Sequence, residues 1–252
     1  LFKRAKYIND RLNNYANLND KKKAFNYTNS TQLNLLKNEN VKYLNGEYHL
    51  SKDLIIEKNY YLLKDKKLNI NEGVKIFFKE DSTLFSEGSI SFNGSKKKPI
   101  LVYSDNGNGS LVLSNNDYTF KNVIFQNLSF PKNTDKILYG GINIINSNLN
   151  MKDIEIIDSN SEDAINIISS KSYIQNLAIN NTTADAIDID FGELVFENIF
   201  CKNIFNDCLD VSGGKIKGKD LRTMNIKDKG LSFGENSTGS LSNINFDNNK
   251  LA

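Results

Sequence analysis

The sequence predicts an all-β fold, a single-stranded right-handed parallel β-helix, and two observations carry that prediction. The first is a repeat: turns of the same pattern begin 22 residues apart, at Asp163, Asp185, Asp207 and Lys229. The second is alternation within each turn, where apolar residues flank a polar one, as in Ile187-Asp188-Ile189. Such short strands bury their apolar faces only by stacking on neighbouring turns, which describes a solenoid with turns of about 22 residues. Parallel crossovers are nearly always right-handed, so we expect that hand here.

A second strand is predicted in each turn, led by Asn or Asp and followed by a large aliphatic residue. These pairs are Asp153-Ile154, Asn176-Leu177, Asn198-Ile199, Asp220-Leu221 and Asn243-Ile244, at spacings of 23, 22, 22 and 23 residues. From Val41 onward, short apolar strands already alternate with Asn-Gly, Glu-Gly and Lys-rich corners. We therefore assign residues 41–252 to one β-helix.

Residues 1–40 form a separate unit in this prediction, an N-terminal helical cap. Apolar residues recur there at helical spacing, at Phe2, Ala5, Ile8, Leu12, Tyr15 and Leu18, and Leu33, Leu35 and Leu36 indicate a second short helical piece. The end of a solenoid exposes strand edges and an open core, so a helical cover over the first turn is expected. At the other end a fifth turn begins at Leu251. We expect the natural protein to continue there, or this end to meet a partner end to end.

Composition excludes several classes of function. The net charge of +2, from 32 basic and 30 acidic residues, provides no field for nucleic acid, and no apolar run reaches the length of a membrane span. One histidine, His49, and two cysteines cannot build a Ser-His-Asp triad or a zinc site. Because Cys208 occupies the small-residue column of Ala186 and Gly230, we interpret Cys201 and Cys208 as buried free thiols. The abundance of Lys and Asn is interpreted as genome base composition.

The repeat breaks across Leu128 to Tyr139, where a proline, two lysines and two aromatic residues lie in a loop of about a dozen residues. Long corners on a solenoid often contact ligands or neighbours, so this loop is a candidate groove wall. A tolerated insertion is the alternative.

Aspartates stack in columns of the repeat. Adjacent turns of a parallel sheet lie ~4.8 Å apart, so residues in one column come nearly that close. The first column holds Asp163, Asp185 and Asp207, an outward column holds Asp188 and Asp210, and Asp190 also points outward. Two carboxylates ~5 Å apart repel by roughly 3 kcal/mol at an effective dielectric constant of about 20, so a partly dry face needs compensation. Backbone N–H groups, a cation such as Ca²⁺, Lys227 or Lys229, or a shared proton could supply it.

Three interpretations of these aspartates stay open. Those in the first column could cap turns through their own backbone, as Asp does in Asx turns. The outward ones could form a plainly solvated face. Together, Asp185, Asp188, Asp190, Asp207 and Asp210 could form a Ca²⁺ or sugar site, because they fall within two turns.

The opening turns carry a resemblance to a known superfamily. The phrase from Asp53-Leu-Ile-Ile through Gly73-Val-Lys-Ile to Gly94-Ser-Lys-Lys-Lys-Pro-Ile and Ser104-Asp105 resembles the first turns of right-handed β-helices of the pectate-lyase-like superfamily. This resemblance implies the fold and is silent on activity.

A sharper resemblance covers three later turns. Thr183-Ala-Asp185-Ala-Ile-Asp, Asn206-Asp207-Cys-Leu and Asp228-Lys229-Gly-Leu-Ser-Phe-Gly are similar to the signature turns of the polygalacturonase family of glycosidases. The resemblance implies that Asp185 and Asp207 are the carboxylates that activate water. Asn206 stands where that family has its general acid and Lys229 where it has a histidine, and no Arg-x-Lys motif follows these turns. An Asn cannot protonate a glycosidic oxygen, so the set is incomplete for hydrolysis.

A lyase is the other enzymatic route that the superfamily resemblance implies. Asp185, Asp188, Asp207 and Asp210 would hold Ca²⁺ against a uronate, and Lys229 would be the base. That role requires a lowered pKa for the Lys229 amine.

The sequence therefore favours a secreted or cell-surface module of bacterial type that binds a carbohydrate without a complete hydrolase site, and an acidic polysaccharide bound with the help of Ca²⁺ is one candidate ligand. The residues predicted to bind the ligand are Asp188, Asp190, Asn206, Asp210 and Glu235. Two alternatives stay open: an active lyase or glycosidase on a uronate-containing polysaccharide that uses Asp185, Asp207 and Lys229, and a structural or adhesive scaffold with no small-ligand site.

Overall fold

The computed structural model describes residues 33–132 and 137–250. In that part of the chain, one 3-10 helix, Leu35–Lys37, accompanies 22 strands. The strands are β1 (Leu33–Asn34), β2 (Val41–Leu44), β3 (Glu47–Leu50), β4 (Leu54–Ile56), β5 (Tyr60–Leu62), β6 (Lys67–Asn71), β7 (Lys75–Phe78), β8 (Thr83–Ser86), β9 (Ser89–Asn93), β10 (Ile100–Ser104), β11 (Ser110–Ser114), β12 (Asp117–Gln126), β13 (Gly140–Ile145), β14 (Asn148–Ser159), β15 (Asp163–Ile168), β16 (Lys171–Thr182), β17 (Asp185–Asp190), β18 (Glu193–Ile204), β19 (Leu209–Ser212), β20 (Lys215–Ile226), β21 (Ser232–Gly234) and β22 (Thr238–Asp247). The fold is all-β, as predicted.

The strands wind into a parallel β-solenoid. Among the described residues, sheet 1 has nine strands in the order β1-β5-β8-β11-β13-β15-β17-β19-β21, which gives one strand for each turn. Sheet 2 has thirteen strands, and its main path runs β2-β3-β6-β9-β12-β14-β16-β18-β20-β22. The strand pairs are parallel apart from the hairpin of β2 and β3. The hand of the coil stays a prediction.

The register confirms the repeat that the sequence predicts. Ile165 pairs with Ile187, and Ile187 pairs with Leu209 on the next turn. These side chains are fully buried in one core cluster that also holds the inward residues of sheet 2. Alternation within each strand therefore places one set of side chains in the interior and the other on the outside of the coil.

The long strands of sheet 2 bend at residues that adopt left-handed backbone conformation. The first bend of each strand has φ between 48° and 62° at Asn122, Asp153, Asn176, Asn198, Asp220 and Asn243. Asn and Asp tolerate this region better than other residues with a side chain because their short polar groups hydrogen-bond locally. The Asn/Asp-led strands predicted from the sequence are thus continuous strands that turn a corner at the Asn or Asp.

A second apolar cluster lies on the outer face of sheet 1. Phe85, Val112, Ile145 and Ile168 point away from the main core and are at most 4% exposed. Leu138, from the loop between β12 and β13, packs against them. This places Leu138 on the outer face of sheet 1, and the role of the loop as a groove wall stays a prediction. The loop is also tied to the solenoid by an ion pair of 2.7 Å between Lys132 Nζ and Asp81 Oδ1.

The predicted cap over residues 1–40 falls largely outside the described residues, since residues 1–32 are not described. In its described part, β1 is followed by the 3-10 helix Leu35–Lys37, and Leu35 is fully buried. Leu35 and Leu36 of the predicted short helical piece thus lie in a 3-10 helix, whereas Leu33 lies in β1, and the helical cap stays a prediction. No helix among residues 33–132 and 137–250 has the length and apolar character that crossing a membrane requires.

Candidate functional site

The predicted catalytic residues meet at one corner of the solenoid, where sheet 2 strands lead into sheet 1. Asp185 begins β17, Asp207 lies just before β19, and Lys229 lies before β21, so they occupy the same position on successive turns. The structure therefore brings Asp185, Asp207 and Lys229 into one corner, and their chain neighbours Asn206 and Asp228 lie there too.

Asp185 is held by groups from the following turn. Its Oδ1 accepts hydrogen bonds of 2.7 Å from Asn206 Nδ2 and 2.7 Å from the backbone N–H of Asp207. Burial raises the pKa of the Asp185 carboxyl to about 7, and the nearby carboxylates of Asp207 and Asp210 add to that rise against the two hydrogen bonds. Asp185 therefore exchanges a proton near neutral pH.

Asp207 is neutralised by Lys229. The Nζ of Lys229 lies 3.0 Å from Asp207 Oδ2 and 2.6 Å from Asp228 Oδ2, and the backbone N–H of Lys229 donates to Asp207 Oδ1 at 2.8 Å. Burial alone would lower the pKa of the Lys229 amine, but its bonds to Asp228 and Asp207 outweigh burial and raise it. The Lys229 amine therefore does not have the lowered pKa that a lyase base needs.

Backbone N–H groups, Lys229 and a proton on Asp185 thus provide the compensation that the stacked carboxylates need. Each was among the alternatives that the sequence left open. Among residues 33–132 and 137–250, no group of three or more acidic, His or Cys side chains has the arrangement of a metal site. A Ca²⁺ ion at Asp185, Asp188, Asp207 and Asp210 stays a prediction.

The outward aspartates do not form a solvated face. Asp188 and Asp190 are 0% exposed, and Asn166 Nδ2 donates to Asp190 Oδ2 at 3.3 Å. The interpretation as a solvated face is wrong for these two, and Asp190 pairs in register with Ile168 of the apolar cluster on this face. Asp210, one turn further on, is partly exposed.

The remaining predicted residues are distributed differently. Asp163 is fully buried at the start of β15. Glu235 is exposed, and it follows β21 at the end opposite to Lys229, so the structure does not bring it to the corner that holds Asp185 and Asp207.

The two cysteines form a disulfide, so the prediction of free thiols is wrong. Cys201 and Cys208 are fully buried and joined, with 5.9 Å between their Cα atoms. The bond crosses the interior from β18 to the corner that precedes β19. It braces the segment that carries Asn206 and Asp207.

A groove beside this corner was missed by the sequence reasoning. It has a volume of about 710 Å³ and is lined by Asn181, Asn203, Asn225 and Asn248, by Lys227 and Lys250, and by Phe205. We call it the corner groove. Phe205 is 68% exposed, the most exposed of the large apolar side chains in the described part of the chain, and it directly precedes Asn206 and Asp207.

The four asparagines of the corner groove form an amide ladder along the solenoid. Asn203 Nδ2 donates to Asn181 Oδ1 at 3.0 Å, Asn225 Nδ2 to Asn203 Oδ1 at 3.0 Å, and Asn248 Nδ2 to Asn225 Oδ1 at 2.6 Å. Each adopts a left-handed conformation, with φ between 50° and 60°. The signal was present in the sequence as Asn at intervals of 22 or 23 residues, but it was attributed to base composition.

Comparison with known proteins assigns no family. No protein-family model and no curated protein matches the chain. A solved structure of the Streptococcus pneumoniae surface protein and adhesin PfbA is 11% identical, with a TM-score of 0.20 over 79% of this chain and 91% of that one. A second structure of this surface adhesin is 10% identical, with a TM-score of 0.14 over 78% and 85%. Similarity at this level carries no argument about this chain, and membership of the pectate-lyase-like superfamily stays a prediction.

Proposed function

We propose that this chain is a secreted or cell-surface β-solenoid that binds a carbohydrate in the corner groove without hydrolysing it. The observation that carries the proposal is the ring of Phe205, 68% exposed beside a ladder of asparagine amides. An exposed aromatic ring stacks on the apolar face of a sugar, and amide groups hydrogen-bond its hydroxyls. The amide ladder repeats along the solenoid axis, as the units of a polymer ligand do.

The charge of the groove supports an acidic polysaccharide. Lys227 and Lys250 are the ionisable side chains among its described lining residues, and no carboxylate accompanies them there. Cations without compensating carboxylates attract an anionic ligand. The buried disulfide of Cys201 and Cys208 supports an oxidising compartment, because disulfides persist mainly in exported proteins.

The neighbouring carboxylates support binding more than turnover. Asn206 stands in the place of a general acid and is engaged with Asp185. Asp207 accepts Lys229 on both oxygens, at 3.2 and 3.0 Å, so it is not available as a base without breaking that ion pair.

Titration calorimetry with a panel of neutral and uronate-containing oligosaccharides tests the proposal. We expect an acidic oligosaccharide to bind, and Phe205→Ala to weaken its affinity about two- to tenfold, since an aromatic contact contributes about 0.5–1.5 kcal/mol. Phe130→Ala removes an exposed phenylalanine outside the groove and should leave affinity unchanged. Equal affinity in Phe205→Ala and the parent would refute the site.

One observation favours an enzyme as the second candidate. The pKa of Asp185, raised to about 7 by burial, is typical of a carboxyl that donates or accepts a proton in catalysis. Assays for new reducing ends and for unsaturated uronate products, on the parent and on Asp185→Asn, decide this. Turnover that is lost in the variant would establish the enzyme, and no turnover on any oligosaccharide that binds would leave the binding module.

Calcium is a separate part of the proposal, at Asp185, Asp188, Asp207 and Asp210. An ion there would have to displace Lys229 from Asp207. Thermal unfolding measures it directly: ~1 mM Ca²⁺ on a site with a Kd of ~10 μM adds about 2.7 kcal/mol to stability. A rise that disappears in the Asp188→Asn, Asp210→Asn double variant supports the ion. If Ca²⁺ does not raise the stability, calcium is removed from the proposal, and the carbohydrate site proposed in the corner groove is unaffected.

A further inference from the structure

A second groove runs along a different side of the solenoid, over the strands of sheet 2. It has a volume of about 500 Å³. Its floor includes the outward column Glu155, Ala178, Phe200 and Arg222, which pair in register across β14, β16, β18 and β20. We call it the side groove. Asp153, Asn176 and Asn198, at the bends of these strands, also line it.

Arg222 is positioned for an anionic ligand. Its guanidinium lies over the ring of Phe200, 5.9 Å from the centroid, and its Nη2 donates to Asn198 Oδ1 at 3.3 Å. These contacts fix the plane of the guanidinium while using one of its five N–H donors. Glu197 and Asp220 line an adjoining cavity with Arg222, but in the described part of the chain neither forms an ion pair with it, so its remaining donors are available to a carboxylate.

The opposite end of the same column carries the opposite charge. Glu155 is exposed and, among the described residues, has no ion-pair partner, and Asp153 also lines the groove; these two carboxylates outnumber Lys96, the lysine of the same lining. Between Glu155 and Arg222 the floor is apolar, made by Ala178 and Phe200. A uniformly anionic polymer would be repelled at one end of this groove and a uniformly cationic one at the other, so the groove fits a ligand that carries both signs.

The distance between Glu155 and Arg222 matches the spacing of alternate side chains in an extended peptide. Three register steps of ~4.8 Å place the Glu155 and Arg222 backbones ~14 Å apart. In an extended peptide, residues i, i+2 and i+4 face the same side and span ~13 Å at ~3.3 Å per residue. An acidic residue at i would meet Arg222, an apolar one at i+2 would lie over Phe200 and Ala178, and a basic one at i+4 would meet Glu155.

We propose that the side groove binds an extended peptide segment of a partner protein, with an acidic, an apolar and a basic side chain at alternate positions. This site is independent of the carbohydrate proposed for the corner groove. The two grooves share none of the described lining residues: on β16, β18 and β20 the side groove lies at the first bends and the corner groove at the second bends.

Fluorescence polarisation with labelled, amidated five-residue peptides tests the proposal. The probes are Glu-Ser-Leu-Ser-Lys and the two like-charged peptides Glu-Ser-Leu-Ser-Glu and Lys-Ser-Leu-Ser-Lys. We expect the parent protein to bind the mixed peptide about tenfold more tightly than either like-charged peptide. Only the mixed peptide can form a charge-assisted hydrogen bond at both ends of the groove. Arg222→Glu should shift the preference to the lysine peptide, and Glu155→Lys to the glutamate peptide.

Lys217→Glu is the matched control, because it reverses an exposed charge on the strand that carries Arg222 but lies outside the groove lining. It should keep the parent's preference, and thermal unfolding shows that each variant is folded. The proposal is overturned if the parent binds none of the peptides, if it binds all three equally, or if Arg222→Glu keeps the parent's preference.

Discussion

Asp185 and Asn206, on successive turns, are joined by a hydrogen bond of 2.7 Å from the amide Nδ2 to the carboxyl Oδ1. The same oxygen accepts the backbone N–H of Asp207. Both bonds favour the ionised carboxylate, yet burial and the neighbouring Asp207 and Asp210 raise the pKa of Asp185 to about 7. The corner therefore holds a carboxyl that loses its proton between mildly acidic and neutral pH.

We predict that stability falls as pH rises through this range. The folded state binds the Asp185 proton more tightly than the unfolded chain, whose pKa is near 3.8. The contribution of Asp185 is therefore complete below about pH 4 and lost as pH rises to about 7. A shift of this size corresponds to on the order of 4 kcal/mol. Urea unfolding at several pH values measures it.

Asp185→Asn should remove most of this pH dependence, because the amide oxygen keeps the acceptor and does not titrate. Asp105→Asn, at an exposed carboxyl, serves as the control and should follow the parent. A parent-like slope in Asp185→Asn would contradict the prediction.

Lys229→Met should destabilise the protein by about 2–4 kcal/mol. Asp207 is 4% exposed, and its side chain would be left ionised in the interior without its cation. The double variant Asp207→Asn, Lys229→Met should recover part of the loss, because it removes the buried charge as well. Lys227→Met, at an exposed lysine of the same corner, should change stability little. Equal stability of Lys229→Met and Lys227→Met, by urea unfolding, would show that the ion pair contributes nothing.

The disulfide should contribute about 2–3 kcal/mol, since it closes a short loop in the unfolded chain. Cys201→Ser, Cys208→Ser is therefore expected to unfold at lower urea concentration than the parent. Intact mass after alkylation of the denatured, unreduced protein gives the direct check. No thiol should react before reduction, and two should react afterwards; two alkylated cysteines without reductant would contradict the bond.

The path of the chain could be predicted because its signals are local and repeated. Alternation within a turn sets which side chains point inward, and the 22-residue period aligns Ile165, Ile187 and Leu209 without further information. The same columns correctly placed Asp185, Asp207 and Lys229 on one corner.

What lies on the outside of the coil could not be predicted in the same way. Asp188 and Asp190 point outward but are buried, and alternation along a strand contains no information about what packs over its outer face. The bond between Cys201 and Cys208 crosses the interior, whereas a column describes only neighbours along the axis. Phe205 occurs once in its column, so the repeat pattern did not indicate it as a candidate site residue.

The amide ladder of the corner groove provides the final prediction, at Asn203. Its Nδ2 donates to Asn180 Oδ1 at 3.2 Å and to Asn181 Oδ1 at 3.0 Å, its Oδ1 accepts from Asn225, and its φ is 55°. Asn203→Gly loses the amide but tolerates the left-handed backbone, whereas Asn203→Ala also strains the backbone. Both variants should be less stable than the parent, and Asn203→Ala should be less stable than Asn203→Gly by about 1 kcal/mol in urea unfolding. If Asn203→Ala were more stable than Asn203→Gly, the left-handed bend would not be the reason for asparagine at this position. The repeated Asn would then be explained by genome base composition.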